Sequence, residues 1–175
     1  MAAPRSAKRP PSPHGTQAWL AVVRAYNLCD AVMTARLAAL GVRITEHEVL
    51  ANLASAPGIT QQTLAARCFV AKSGVSMLLT QMESRGWVRR EADSADARVR
   101  RLHLTPAGLA LAGQTLQVQS EVVAAMVAGA TDAELEQVTA SMQRVSQRLE
   151  ALREADELSP ASTPRSRARP PARRG

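Results

Sequence analysis

The chain has 175 residues, enough for one domain with a substantial core, and 46% apolar but only 2% aromatic residues, a composition that favours helix. Its net charge of +7 sits at the ends. Arg5, Lys8 and Arg9 precede residue 16, and Arg165, Arg167, Arg169, Arg173 and Arg174 follow residue 158, whereas all 15 acidic residues fall between them, so a uniformly basic body is excluded.

Residues 1–15 and 159–175 are rich in Pro, Ser, Ala and Arg and hold almost no large apolar side chain, so they are expected to be disordered tails. The start lacks the apolar core of a secretion signal, and no apolar run approaches membrane-spanning length. Cys29 and Cys68 make neither a metal-ligand pattern nor a disulfide framework. A cytoplasmic protein with no cofactor, no metal and no membrane partner is expected.

From Ala18 to Leu40 the residues Val22, Tyr26, Cys29, Met33, Leu37 and Leu40 recur at helical spacing, with Leu20, Val23, Leu28 and Val32 on neighbouring faces. A helix apolar over so much of its circumference is expected to pack on its own domain and on a partner. Thr45 with Glu48 fits a capping box for a short second helix, whose Val49, Leu50 and Leu53 face inward until Ala56-Pro57-Gly58 stops it. Thr60 can cap a third helix reaching Arg67, and a longer helix from Lys72 to Arg85 ends at Gly86.

Trp87 to Glu91 and Val99 to Leu104 read as strands joined by a polar segment, a hairpin. Pro106 opens a long helix reaching about Ala128, and Thr131 with Glu134 supplies another capping box. In the last helix Leu135, Val138, Met142, Val145, Leu149 and Leu152 alternate by three and four residues, a heptad-like seam with Glu134, Glu136, Gln137, Arg144 and Gln147 on the outer faces. With few elements left to cover that seam, it is expected to join Val22 and Leu37 in a homodimer interface.

Charge divides along the body. From Arg67 to Arg101 there are eight basic residues (Arg67, Lys72, Arg85, Arg89, Arg90, Arg98, Arg100, Arg101) and four acids, whereas from Pro106 to Leu158 three basic residues meet eight acids. The middle attracts polyanions and the C-terminal helices repel them.

The middle also carries the pattern of a helix-turn-helix. Leu64 and Ala65 fill the inner face of the first helix, Cys68 and Val70 bracket the turn, and Val75, Leu78, Leu79 and Met82 anchor the second. The turn position often held by Gly is Phe69, which implies a different turn geometry. Ser73, Gly74, Ser76, Met77, Thr80 and Gln81 are left on the outer face, small and uncharged, where hydroxyls and amides can bond phosphates and base edges and Met77 can touch a thymine methyl. Thr60 and Gln61, with Lys72 at a helix N-terminus, are placed near phosphate.

The run LAARCFVAKSGVSMLLTQMESRGWVRR, followed by DSADARVRRLHLTPAG, resembles the MarR family of winged-helix regulators over residues 44 to 108. The resemblance rests on an Asp-x-Arg element, Asp96 and Arg98, and on the Leu-Thr-x-x-Gly of Leu104, Thr105 and Gly108. Ala97 stands where the family often has Arg. The resemblance implies a mainly helical (α+β) fold: a winged helix-turn-helix with a two-stranded wing, and N- and C-terminal helices forming a dimerisation domain.

The expected organisation is an N-terminal dimerisation helix over 16–44, the DNA-binding domain over 45–105 and C-terminal dimerisation helices over 106–158. The resemblance further implies a repressor-type regulator that binds double-stranded, pseudo-palindromic DNA as a homodimer. The helix from Lys72 to Arg85 would enter the major groove and Arg98 the minor groove. Asp96 can hold Arg98 extended, and Arg100 and Arg101 add positive charge beside it.

The same resemblance implies release by a small aromatic or phenolic acid in a crevice bordered by Trp19, Tyr26, His47 and Glu48. Two other readings remain. One is redox sensing through Cys29, although Cys29 has no basic neighbour in obvious register and Cys68 occupies a turn-flanking core position. The other is a winged helix used only as a protein adaptor. No nucleophile-base-acid set or phosphate loop occurs, and His14, His47 and His103 are scattered, so an enzyme is not expected.

Overall fold

The computed structural model describes residues 12–68, 72–96 and 98–158. The turn at Phe69, Ala97 and most of both tails lie outside the described residues, and Lys72 and Ser73 are placed in a helix without their side chains. Six helices and two strands follow in order: α1 (Pro13–Ala38), α2 (Ile44–Ser55), α3 (Gln61–Arg67), α4 (Lys72–Ser84), β1 (Val88–Ala92), β2 (Arg100–Leu104), α5 (Pro106–Met126) and α6 (Asp132–Leu158). The chain divides into two compact units, the first running to Met126 and the second from Val127. No helix among the described residues is long and apolar enough to cross a membrane.

α1 begins inside the segment expected as tail. The Ser12 hydroxyl accepts the Gly15 N–H at 3.1 Å, and Pro13 occupies the first turn, where its missing N–H costs nothing. α2 does not use the Thr45–Glu48 box. Its N-cap is Arg43 and the reciprocal acid is Glu46, which accepts the Arg43 backbone N–H at 2.8 Å. The expected cap of α3 is present, with the Thr60 hydroxyl accepting the Thr63 N–H at 3.1 Å. So is that of α6, where the Glu134 carboxylate accepts the Thr131 N–H at 2.8 Å.

The core of the first unit gathers one stripe from every element. Met33 and Leu37 come from α1, Val49, Leu50 and Leu53 from α2, Leu64 from α3, Val75, Leu78, Leu79 and Met82 from α4, Val88, Leu102 and Leu104 from the hairpin, and Ala112 and Val122 from α5. Each large apolar side chain so buried contributes about 1.5–3 kcal/mol. Leu37, expected at a subunit interface, has 0% exposure and belongs to this core. α1 carries several apolar stripes, and the one holding Met33 and Leu37 is used within the chain.

β1 and β2 pair antiparallel from Val88↔Leu104 to Ala92↔Arg100. The hairpin is tied back to the segment before α3: Gly58 N–H donates to Leu102 O at 2.8 Å, Leu102 N–H to Ile59 O at 3.0 Å, and Thr60 bridges Arg101. Gly86, at φ 71°, turns the chain from α4 into β1, as expected of a residue in the left-handed region. The Leu-Thr-x-x-Gly sequence has a physical reason. The Thr105 hydroxyl donates to Gly86 O at 2.6 Å and accepts the Gly108 N–H at 3.0 Å, so one side chain caps α5 and binds the end of α4. Gly108 packs so closely that a Cβ there would lie 2.0 Å from Trp87 O.

Candidate nucleic-acid interface

α3 and α4 form a helix pair whose second member turns one face inward and one outward. Val75, Leu79 and Met82 are fully buried and Leu78 nearly so, while Ser76, Met77, Thr80 and Gln81 are exposed, Met77 to 67%. Gly74 is half-buried at the start of the helix. The Thr80 hydroxyl donates to Ser76 O at 3.1 Å, which leaves its oxygen free to accept. Thr60 and Gln61 sit at the N-terminus of α3, Thr60 as its cap.

The eight basic residues of the central stretch do not act as one patch. Arg85 donates to buried Glu46 at 3.2 Å and to Gly41 O at 3.0 Å, and its guanidinium stacks 3.6 Å over Trp87. Arg90 pairs with Glu83 at 2.7 Å and Arg89 with Glu91. Arg101 donates Nε to Asp93 at 2.6 Å and a terminal nitrogen to Gly58 O at 3.2 Å. Arg101, expected at the DNA, therefore ties the hairpin to the loop before α3. Among the described residues, Arg67, Arg98 and Arg100 make no ion pair, and Arg98 and Arg100 are exposed on or beside the hairpin.

The hairpin tip is shaped by two aspartates. Asp93 accepts the N–H groups of Ala95 at 2.9 Å and Asp96 at 3.1 Å; the Arg101 hydrogen bond and these backbone bonds hold its carboxyl below the usual range. Asp96 accepts the backbone N–H of Arg98 at 2.9 Å. The expected Asp96–Arg98 pairing is thus made through the main chain of Arg98: the carboxylate fixes the turn and leaves the guanidinium outward.

Beside the C-terminal end of α4, Glu46 is 1% exposed and receives Arg43 twice, through its backbone N–H and its guanidinium, both at 2.8 Å. Burial by itself raises its pKa, but the Arg43 and Arg85 contacts overcome that and leave the group below its usual value. Arg43 also donates to Gln81 Oε1 at 2.8 Å, so Gln81, exposed in the last turn of α4, has one acceptor already engaged. No capping rule points to this cluster, and a lone Glu in a helix gives no sign that its second arginine lies 39 positions away.

A cavity of about 670 Å³ lies where α1, α2 and α5 meet. Tyr26, His47 and Glu48 line it, as expected, and so do Cys29, Asp30, Met33, Asn52, Gln119 and Val122. Trp19 does not line it and stands 62% exposed near the start of α1. His47 Nε2 lies 3.0 Å from Gln119 Oε1; burial lowers the imidazole pKa, only partly offset by that hydrogen bond. Cys68 is buried, and desolvation followed by the nearby Glu48 charge pushes its thiol up to about 11, so it is not a thiolate at neutral pH.

A depressed histidine pKa has a defined sign. The unfolded chain takes up the proton first, so the stability carried by neutral His47 is complete above about pH 6.5 and is lost as the pH falls toward its folded value. Melting temperature is expected to fall between about pH 7 and 5, and His47→Gln to show a shallower fall. Equal slopes for the two proteins would remove His47 from this role.

Two packed helices with the second exposed, followed by a hairpin, define a winged helix-turn-helix. The MarR family model matches residues 40–99, which contain α2 to α4 and the first strand of the hairpin, and end before β2. The transcriptional regulator HosA of Escherichia coli O157:H7 is 40% identical over 63 residues, 36% of this chain and 47% of HosA, so the chain spans about half the length of the curated relatives it matches. A MarR-family transcriptional regulator from Silicibacter pomeroyi superposes with a TM-score of 0.65 at 27% identity, covering 75% of this chain and 88% of that one. FabT of Streptococcus pneumoniae, solved in complex with DNA, gives 0.68 at 20% identity over 78% of this chain and 98% of its own. Over residues 40–99 the chain is similar to the MarR family, and its fold is shared with solved MarR-family transcriptional regulators.

Proposed function

We propose that this protein binds duplex DNA as a homodimer, with α4 in the major groove and the hairpin wing carrying Arg98 toward the minor groove, and that it acts as a repressor released by a small aromatic ligand. One observation carries the reading: α4 exposes Ser76, Met77, Thr80 and Gln81, a face without a charged side chain among its described residues, beside a wing whose Arg98 and Arg100 are unpaired. A face that was merely solvated would carry Lys and Glu; hydroxyls, an amide and a thioether suit base edges and thymine methyls. FabT, which shares the fold, was solved in complex with DNA, which supports DNA as the partner.

Dimerisation is supported by apolar surface left exposed among the described residues. In the first unit Trp19, Leu20, Val22, Val23, Leu28, Leu116 and Val123 are exposed, and in the second Val138, Met142, Val145, Leu149 and Leu152. Monomers rarely leave so many large apolar residues in contiguous stripes. The ligand is assigned to the cavity between α1, α2 and α5. Cysteine-based sensing is disfavoured for Cys68 by its protonated thiol, and the adaptor reading offers no account of the unpaired wing arginines.

Binding measurements on variants test the DNA assignment. Arg98→Ala is expected to weaken binding to all duplexes by similar factors and to lower the salt dependence by about one phosphate contact, whereas Met77→Ala changes preference at particular base pairs. Unchanged affinity for Arg98→Ala would overturn the wing's role.

A further inference from the structure

The cavity between α1, α2 and α5 carries more information than its size. Its described lining holds two carboxylates, Asp30 and Glu48, and no lysine or arginine. Arg36 lines a separate, smaller depression between α1 and α5, and its guanidinium is paired with Glu121 at 3.3 Å. His47, the one titratable base of the lining, is 5% exposed and kept neutral by burial. A carboxylate entering here would lose its hydration, find no cation among the described lining residues and approach the like charge of Asp30.

The hydrogen bonding points the same way. Gln119 Oε1 can only accept, so His47 Nε2 carries the proton of the 3.0 Å contact and Nδ1 is left as an acceptor. That Nδ1 is buried and has no hydrogen-bond partner, in a side chain that lines the cavity. Among the described residues the cavity therefore offers acceptors and negative charge to a ligand whose body rests on Met33, Ile44, Val122 and Met126.

We infer that the effector is an apolar amine, an aromatic or aliphatic body bearing a protonated nitrogen directed at Asp30 and N–H groups available to His47, and not the aromatic acid that the family resemblance implies. This rests on the reading of the cavity as the effector site. Asp30 is the selecting residue because it lines the cavity and is exposed, so that substitution leaves the core intact. A single charge-charge contact near 4 Å in high dielectric is worth about fivefold in affinity.

The test uses three probes of one shape: 2-naphthylmethylamine, 2-naphthalenemethanol and 2-naphthoate, each titrated into the full chain by calorimetry at pH 7. The amine is expected to bind at least about fivefold more tightly than the naphthoate. Asp30→Asn is expected to reduce that ratio by about the same factor while leaving the alcohol's affinity unchanged. Tighter binding of naphthoate, or a ratio unmoved by Asp30→Asn, overturns the assignment of ligand class and leaves the cavity as effector site standing. Failure of all three probes to bind overturns both.

Discussion

Gly108→Ala is expected to lower stability by about 3 kcal/mol, at or beyond the upper end of ordinary overpacking. The added methyl would stand 2.0 Å from Trp87 O and 2.9 Å from Trp87 C, so backbone and not a flexible side chain must give way. Moving Trp87 away disturbs the Thr105 N–H to Trp87 O bond of 3.0 Å and the Thr105 hydroxyl bond to Gly86 O of 2.6 Å, which join α5 to the end of α4. In a protein of this size the loss corresponds to roughly 6–12 °C in melting temperature. Gly113→Ala provides the control: it lies in the same helix with nothing within 4 Å of a new Cβ, and should be neutral or slightly stabilising. Equal behaviour of the two variants would refute the close approach.

Glu46→Ala is expected to cost about 2 kcal/mol, between the loss of a helix cap and the disruption of a fully buried ion pair. The carboxylate is 1% exposed, but Arg43 and Arg85 remain 60% and 43% exposed, so their charges return to water when it is removed. What is lost is the acceptor for the Arg43 N–H, the link to Arg85 and the packing of the side chain itself. Glu46→Gln keeps the volume and one acceptor and should cost less. Because the folded carboxyl titrates below its ordinary value, its charge stabilises the fold above about pH 4.5 and that contribution disappears as the pH falls further. The Gln variant should therefore show a flatter acid limb in thermal melts, and an unchanged limb would show that Glu46 is not the group responsible.

The Glu46 cluster also bears on DNA recognition. It joins the N-terminus of α2 to Gln81 and Arg85 at the C-terminal end of α4, so that end of the exposed helix is held twice: by Thr105 through Gly86 and by Glu46 through Arg85. Substitutions at Glu46 should consequently loosen the presentation of Met77 and Thr80 as well as lower stability.

Much of this fold is written in local sequence. Thr60, Gly86, Pro106 and the Thr131–Glu134 pair each mark an element boundary through chemistry within four residues, and each boundary lies where that chemistry places it. The inward stripe of α4 follows from helical periodicity alone. What escapes is whatever depends on distant partners. α1 offers several apolar stripes, and only the packing of α2 and α5 determines that Leu37 is internal while Val22 remains exposed. Arg98 and Arg101 are alike in sequence, yet Asp93 and Gly58 O engage Arg101 and leave Arg98 outward. Thr45–Glu48 has the spacing of a capping box, but the chain enters α2 two residues earlier, where Arg43 and Glu46 satisfy each other. The cavity was legible only as the elements around it; its acidic lining appears once Asp30 and Glu48, from two helices, are brought to one space.

The central claim is that the outward face of α4, presented twice by a paired molecule, reads double-stranded DNA. Incubating the purified chain with a random duplex pool at low and at moderate salt, and sequencing what is retained, tests it most directly. The account predicts enrichment of a two-fold symmetric site with half-sites about one helical turn apart, bound more weakly as salt rises. A pool that emerges unenriched at both salt concentrations would contradict it.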